Sequence, residues 1–366
     1  MHKALESGPI KISPGDPSQI FEKIAPLGQG TFGVVYKAKD TRDGKFVALK
    51  IMNDTDDLAS FEKEIHIMEG LQSPYIVQYK GAYRYVVPKT DTDEIWIAME
   101  FCEGGSLADL AAAGDDKPLT EEEIGAIMKQ AVAGLDYMHS RKKIHRDIKG
   151  ANILINQDGE CKLADFGVSA SLAFTMDCRD TAAGTPCWMA PEVIQHSEYS
   201  YAADIWSLGI TCIELSERRV PFSKFNRIAA IHGIVQSAPP RLSAERYSAD
   251  FCDFVASMLM KVPSERWTAA KLLAEHPFIL KAKQPVTVAA LVRRNLEALT
   301  KMRDNILGPE SDSFDSPIAK PKAVDDKKPA ADALNQPIAI SVEPAPQLPP
   351  LMQWGRVRCW RRCNSP

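Results

Sequence analysis

Apolar positions along this chain change period several times, and each change predicts an element. From Phe21 to Ala38, apolar, β-branched and aromatic residues (Phe21, Ile24, Leu27, Val34, Val35, Tyr36) form two runs around a glycine cluster. Such runs predict two strands joined by a turn. Phe46 to Met52 predicts a third strand, and Ile76 to Tyr83 and Ile95 to Met99 predict two more. Val86 to Glu94 reads as a long, polar, exposed connection. From Asp54 to Gln72 the period lengthens. Leu58, Phe61, Ile65, Met68 and Leu71 recur every three or four residues, which predicts a helix with one buried stripe.

Beyond Glu100 the pattern is mainly helical. Thr120 and Glu123 have capping-box spacing, with Leu119 and Ile124 as the hydrophobic staple. Ile124, Ile127, Met128, Ala131, Leu135 and Met138 then line one stripe of a core-supporting helix. It leads into the polar stretch from Lys143 to Leu154. Ile153 to Ile155 and Cys161 to Leu163 flank Asp158 and Gly159, a hairpin signal. Val168 to Met189 has little period and several hydroxyls, which fits a mobile segment. Tyr201 to Leu215 is apolar nearly all round, so it predicts a central buried helix. Helical patterns recur at Asn226 to Ile234, Ala249 to Met258 and Thr268 to Ala274, and the stretch from His276 to Phe278 closes the compact part. Val286 to Met302 predicts a further amphipathic helix on the larger, helical lobe.

The ends differ in composition. Met1 to Ser18 is polar, with Pro9, Pro14 and Pro17, and reads as a loosely held arm. From Gly308 to Pro350, Pro, Asp, Lys, Ser and Ala dominate, a disordered-linker composition. Ala345 to Pro350 suits either a polyproline helix that docks a small domain or a solvated tail. Trp354 to Arg362 is basic and aromatic, compatible with contact to anionic lipid or an acidic partner.

Whole-chain properties narrow the function classes. At 366 residues the chain can bury two or more cores. A net charge of −4 disfavours a general nucleic-acid-binding role. No apolar run is long enough to span a bilayer, and no charged-then-apolar leader opens the chain. The eight scattered cysteines read as reduced thiols, so a cytoplasmic location is expected. Cys359 and Cys363 lack nearby histidines, so zinc is not expected there.

Three stretches carry chemistry. Gly28, Gly30 and Gly33 have the spacing of a phosphate-binding glycine loop, which alone suggests a dinucleotide site equally well. A dinucleotide fold needs a helix directly after the glycines, whereas Val34, Val35 and Tyr36 predict a strand. The glycines therefore make a hairpin lid whose backbone amides can approach phosphates. Glu64 falls on the buried face of the Asp54 to Gln72 helix and needs a partner, which Lys50 can supply. His145, Arg146, Asp147, Lys149 and Asn152 place a carboxylate, an ammonium and a carboxamide at fixed offsets. Asp165, Phe166 and Gly167 follow, and Ala190, Pro191 and Glu192 close the segment beyond. That is an inventory for phosphoryl transfer. The glycines at 104 and 105 suit a hinge that meets an adenine edge, and equally a plain loop.

In set and order these motifs resemble those of eukaryotic protein kinases from Phe21 to Leu280. The resemblance implies an α+β, bilobal protein kinase fold, with a small β-rich lobe holding one key helix and a larger, mainly helical lobe. It implies an arm over residues 1–20 and a kinase domain over 21–280, split into lobes at 21–101 and 105–280. A helical extension over 281–307 and a tail over 308–366 follow. Lys149 looks like the serine/threonine form. Lys63 to Ile65, Ser73 to Val77, Met99 to Cys102, Gly184 to Glu192 and Ala203 to Gly209 resemble STE-group germinal centre kinases, and most nearly Hippo-like ones.

The resemblance also implies roles. ATP and Mg²⁺ are the expected ligands. Leu27, Gly28, Gly30, Gly33, Val35, Ala48, Lys50, Met99, Glu100, Cys102 and Leu154 would hold ATP, with Lys50 paired to Glu64. Asp147 would be the base and Lys149 would steady the γ-phosphoryl. Asn152 and Asp165 would bind metal. Glu192 would pair with Arg266, and Asp204 would brace the catalytic loop. Thr181, four residues before Thr185, aligns with the family's activating phosphosite and would fold onto Arg146. Thr185 would bridge Asp147 and Lys149, and Val168 goes with threonine acceptors. Expected partners are protein substrates, an upstream or trans-autophosphorylating kinase and a second copy of the chain. No heptads follow Met302, unlike the dimerisation helix usual in Hippo-like kinases. Two other classes compete: a pseudokinase scaffold and a small-molecule phosphotransferase. The complete set Lys50, Glu64, Asp147, Asn152 and Asp165 opposes the first. The long segment ending at Glu192 opposes the second.

Overall fold

The small lobe is built by alternation. In the computed structural model, β1 (Phe21–Gly30), β2 (Gly33–Asp40), β3 (Phe46–Asn53), β4 (Tyr79–Val87) and β5 (Thr92–Glu100) form one antiparallel sheet in the order β1-β2-β3-β5-β4. The structure describes residues 13, 15–30, 33–53, 65, 68–88, 92–113, 118–165, 186–195, 197 and 199–307. All lie in the unit Met1–Asp315, and none in the second unit, Ser316–Pro366. Val47, Leu49 and Ile51 join Phe21, Ala38, Tyr83, Trp96 and Ala98 in a core on one face of the sheet. Successive side chains alternate in a strand, so Ala48 and Lys50 point to the opposite face.

Three expectations need correction here. Val86, Val87, Thr92, Asp93 and Glu94 are strand residues, not connection, paired Val87 to Thr92 and Tyr85 to Glu94. Ile76 is not in the strand; it makes an isolated bridge to Leu163, and β4 begins at Tyr79. Pro17–Ile20 is a short helix, α1, not loose chain. Asp16 caps it, accepting the Ser18 N–H at 2.9 Å, and Pro17 is buried. Of the Asp54 to Gln72 helix, Ile65 and Met68 are helical and buried, and Leu71 is buried beside them. Residues 54–64 lie outside the described set.

After β6 (Gly105–Ser106) and α2 (Leu107–Ala113), the large lobe is organised by α3 (Glu121–Ser140). Its capping box is complete: Glu123 N–H donates to Thr120 Oγ1 at 3.2 Å, and Thr120 N–H to Glu123 Oε2 at 2.9 Å. The β7 (Ile153–Ile155) and β8 (Cys161–Leu163) hairpin packs on α3. After the short α4 (Pro191–Ile194), α5 (Tyr201–Glu217) runs through the core. Around it stand α6 (Arg227–Gln236), α7 (Ala249–Met258), α8 (Ala269–Glu275) and α9 (Pro277–Leu280).

The compact part does not close at Phe278. Helix α10 (Val286–Leu307) buries Val288, Leu291, Val292 and Leu299 in the large core. It packs on α2 and α3, and also on β1 of the small lobe. Arg294 Nη2 lies 3.0 Å from Glu123 Oε1, tying the extension to the start of α3.

Candidate active site

The loop after α3 is held from below by one buried carboxylate. Asp204, on the first turn of α5, accepts the backbone N–H of His145 at 2.9 Å and of Arg146 at 2.8 Å. His139 Nε2 lies 2.9 Å from the same carboxylate. These bonds turn Arg146 into a left-handed backbone conformation, φ +71°. His145 is fully buried; its Nε2 donates to Ala164 O at 3.0 Å and its Nδ1 accepts the Asp147 N–H at 3.3 Å. Burial lowers its pKa, opposed by Asp204, Asp147 and Asp165, so the ring is neutral.

Above that support three side chains converge. Asp147 Oδ2 accepts Lys149 Nζ at 2.8 Å and Asn152 Nδ2 at 2.8 Å. Asn152 Nδ2 also donates to Asp147 O, which commits its nitrogen and leaves its carbonyl oxygen for another partner. The N–H of Ala164 donates to Asn152 O at 2.9 Å, so β8 delivers Asp165 beside the loop. Asp165 has φ +62°, and its Oδ1 lies 3.6 Å from Lys50 Nζ. Lys50 reaches it from the face of β3 opposite the small-lobe core, so the contact joins the two lobes. Glu64, Thr181 and Thr185 lie outside the described residues.

The glycines lie where β1 meets β2, and β2 pairs with β3 so that Val35 stands opposite Lys50. Gly28 pairs with Val35, and Gly30 with Gly33. Gly33 has φ +145°, and a Cβ there would stand 2.1 Å from Ile51 O, so no other residue fits. A Cβ at Gly28 would meet nothing within 4 Å, leaving open space beside the backbone. Met99 and Leu154 pack against Val77, Cys102 and Ala164, which brings the strand end, hinge and β7 together. Ala48 is buried in β3, while Leu27 and Val35 are half-buried. Glu100 faces elsewhere: its Oε1 lies 3.1 Å from Lys162 Nζ. Cys102 is a poor nucleophile, since burial pushes its pKa up to about 12.

A family model of the protein kinase domain matches residues 21–279. The chain belongs to the protein kinase family. Members use ATP, typically with Mg²⁺, and act on protein substrates. The α+β fold, with a β-sheet small lobe and a helical large lobe, is that of the family.

The residues here fit both ligands. Asn152 and Asp165 offer hard oxygens, the donors Mg²⁺ takes when it is shared with phosphates. Among the described residues, no group of three His, Cys, Asp or Glu side chains could hold a metal alone. The open space at Gly28 and the ammonium of Lys50 suit a polyphosphate.

Further along the kinase chain, Glu192 and Arg266 form a bidentate pair at 2.7 and 2.9 Å. Arg266 also donates to Ala202 O and Met260 O. Its side chain is 0% exposed. Two residues that the motif spacing does not single out also support the loop. His139 holds Asp204, and Tyr199 donates its hydroxyl to Arg146 O at 2.9 Å. Both signals are weak in sequence, because an isolated His or Tyr usually belongs to packing. Arg146 Nε is buried without a hydrogen-bond partner among the described residues. Among those residues, no helix is long and apolar enough to cross a membrane.

Proposed function

We propose that the chain is an ATP-dependent serine/threonine protein kinase of the STE group, germinal centre and Hippo-like in type, acting in cytoplasmic signalling. The observation that carries the reading is the convergence of Lys149 and Asn152 on Asp147, beside the Lys50–Asp165 contact. Asp147 keeps one carboxylate oxygen for the substrate hydroxyl. As the base it accepts that proton, a role contributing roughly 10²–10⁴ in rate. Lys149 steadies the γ-phosphoryl, and Lys50 holds the α and β phosphates. Gly28, Gly30 and Gly33 lie over the phosphates. Leu27, Val35, Ala48, Met99, Cys102 and Leu154 line the nucleotide cleft, and Glu100, whose side chain is held by Lys162, offers only its backbone there. Asn152 and Asp165 would hold Mg²⁺, whose charge would offset that developing on the transferring group. Glu192 with Arg266, and Asp204, are structural braces. The domain spans 21–280, with α10 as its extension.

Activation follows from Arg146. A buried guanidinium nitrogen without a partner among the described residues favours an added anion. Phosphate on Thr181 adds about −1.5 to −2 charge, enough to draw the segment onto Arg146. Thr185 then bridges Asp147 and Lys149 at the substrate. Threonine acceptors are preferred over serine.

The test is incubation of the full chain with MgATP and a peptide array, followed by phosphoamino-acid analysis. Expected are phosphothreonine over phosphoserine, autophosphorylation at Thr181, and at least tenfold lower activity in Thr181→Ala. Full activity in that variant contradicts the activation scheme, and a serine preference contradicts the acceptor assignment. A chain that binds nucleotide without transfer is the scaffold of the competing reading.

A further inference from the structure

Helix α5 carries a second inward carboxylate, Glu214, that the scheme above does not use. Its Oε2 accepts two N–H groups from different parts of the chain. One is the backbone N–H of Gly150 at 3.2 Å, the other the indole Nε1–H of Trp188 at 3.0 Å. Gly150 lies between Lys149 and Asn152 and opens the 3₁₀ turn, Gly150–Asn152, that presents Asn152. A Cβ at 150 would stand 3.0 Å from Glu214 Oε1, so the carboxylate occupies the side of the loop that glycine leaves free. Trp188 lies four residues before Glu192. Its carbonyl accepts the Ser207 Oγ–H at 2.8 Å, so α5 grips Trp188 at both ends.

Burial pushes the Glu214 carboxyl above its usual range, while Trp188, Gly150 and Lys149 pull it down. Burial thus disfavours the ionised form, and the two N–H groups on Oε2 are what compensate it, so the carboxylate binds the loop and Trp188 to one point. Resting on the kinase reading above, we infer that Glu214 is a positioning residue for phosphoryl transfer. Through one oxygen it fixes the catalytic loop against the substrate-side platform that begins at Trp188. The reaction needs the acceptor hydroxyl within reach of Asp147 and in line with the phosphoryl. A misplacement of about 1 Å between the two surfaces can cost on the order of 10²-fold in rate.

The variants are Glu214→Ala, Glu214→Gln and Trp188→Phe in the full chain. They are measured for kcat, for KM of ATP and of a protein substrate, and for hydrogen exchange over residues 147–152 and at the Trp188 indole. Glu214→Ala should lower kcat about tenfold or more, the loss expected for hydrogen bonds to a charged acceptor. KM for ATP should stay within about twofold, and exchange at Gly150 and the indole should accelerate. Because both donors meet one oxygen, the single carbonyl of Glu214→Gln can accept both and should keep at least about a third of kcat. Trp188→Phe should lower kcat less, and combined with Glu214→Ala should add less than the product of the two losses. The inference is overturned by Glu214→Ala with kcat within twofold of the unaltered chain. It is also overturned by equal losses in the Gln and Ala variants, or by a loss confined to KM for ATP. Should Glu214→Ala not fold, Trp188→Phe with unchanged kcat and unchanged Gly150 exchange overturns it. An unaltered chain that transfers no phosphate rejects the kinase reading instead, and the exchange comparison then decides the coupling alone.

Discussion

His145 shows how a single side chain sets the conditions under which this site exists. Its two ring nitrogens make opposite bonds, Nε2 as donor to Ala164 O and Nδ1 as acceptor from Asp147 N–H. Only the neutral ring can do both. Burial holds its pKa below the ordinary 6.5. The sign follows. As pH falls below about 6.5, the unfolded chain takes up a proton that the native chain refuses, so stability drops by up to about 1.4 kcal/mol per pH unit. Above about 6.5 the residue contributes no slope. Urea unfolding at pH 7.5 and 5.5 should therefore show the stability gap between the unaltered chain and His145→Gln narrowing at the lower pH. Parallel pH profiles would refute it. This part of the site was only half legible. The motif from His145 to Asn152 could be read from spacing and the brace at Asp204 from the resemblance, but the ring's partner, Ala164 O, lies 19 residues away and carries no signal. A chain pattern does not say which distant backbone group a buried ring meets.

At the scale of elements, burial decided what could be read. Helix α3 and helix α5 matched their patterns because most of their lengths face the core, which forces apolar residues to recur. The outer end of the β4–β5 hairpin did not, because β4 is an edge strand and Val86 is half-exposed. Where nothing is buried, alternation carries no polarity signal, and Thr92, Asp93 and Glu94 read as loop. Helix α10 was legible as amphipathic, since Val288, Leu291, Val292 and Leu299 share a face. Its seat on the large lobe was expected, but its contact with β1 of the small lobe was not, because surface complementarity is a property of two elements. Its seat depends on Gly159, where φ is +80° and an added Cβ would stand 2.2 Å from Pro285 O and 2.4 Å from Ala289 N. Both atoms are backbone and cannot rotate away. Gly159→Ala should lower stability by about 1–3 kcal/mol and speed hydrogen exchange along α10. Unchanged exchange over 286–307 would show that the helix does not depend on this contact.

Over the whole molecule, one site is assembled from pieces that share no local sequence. The small lobe supplies Lys50 and the glycine hairpin, α3 delivers the loop, and α5 holds that loop through Asp204. Helix α10 touches β1 as well as α2 and α3, so the extension belongs with both lobes. Order in the sequence announced this plan, because the motifs recur in sequence at fixed roles. The join between lobes did not appear there, since it rests on Asp165 meeting Lys50 across 115 residues. The central claim is that the carboxylate at 147 performs the chemistry while its neighbours only hold and neutralise. The direct measurement is single-turnover phosphate transfer from MgATP to a protein substrate by the full chain and by Asp147→Asn, with nucleotide affinity measured in parallel. Transfer by the unaltered chain, a loss of roughly 10²–10⁴ in the variant and equal affinity for nucleotide are predicted. Equal transfer rates in the two proteins would contradict the account.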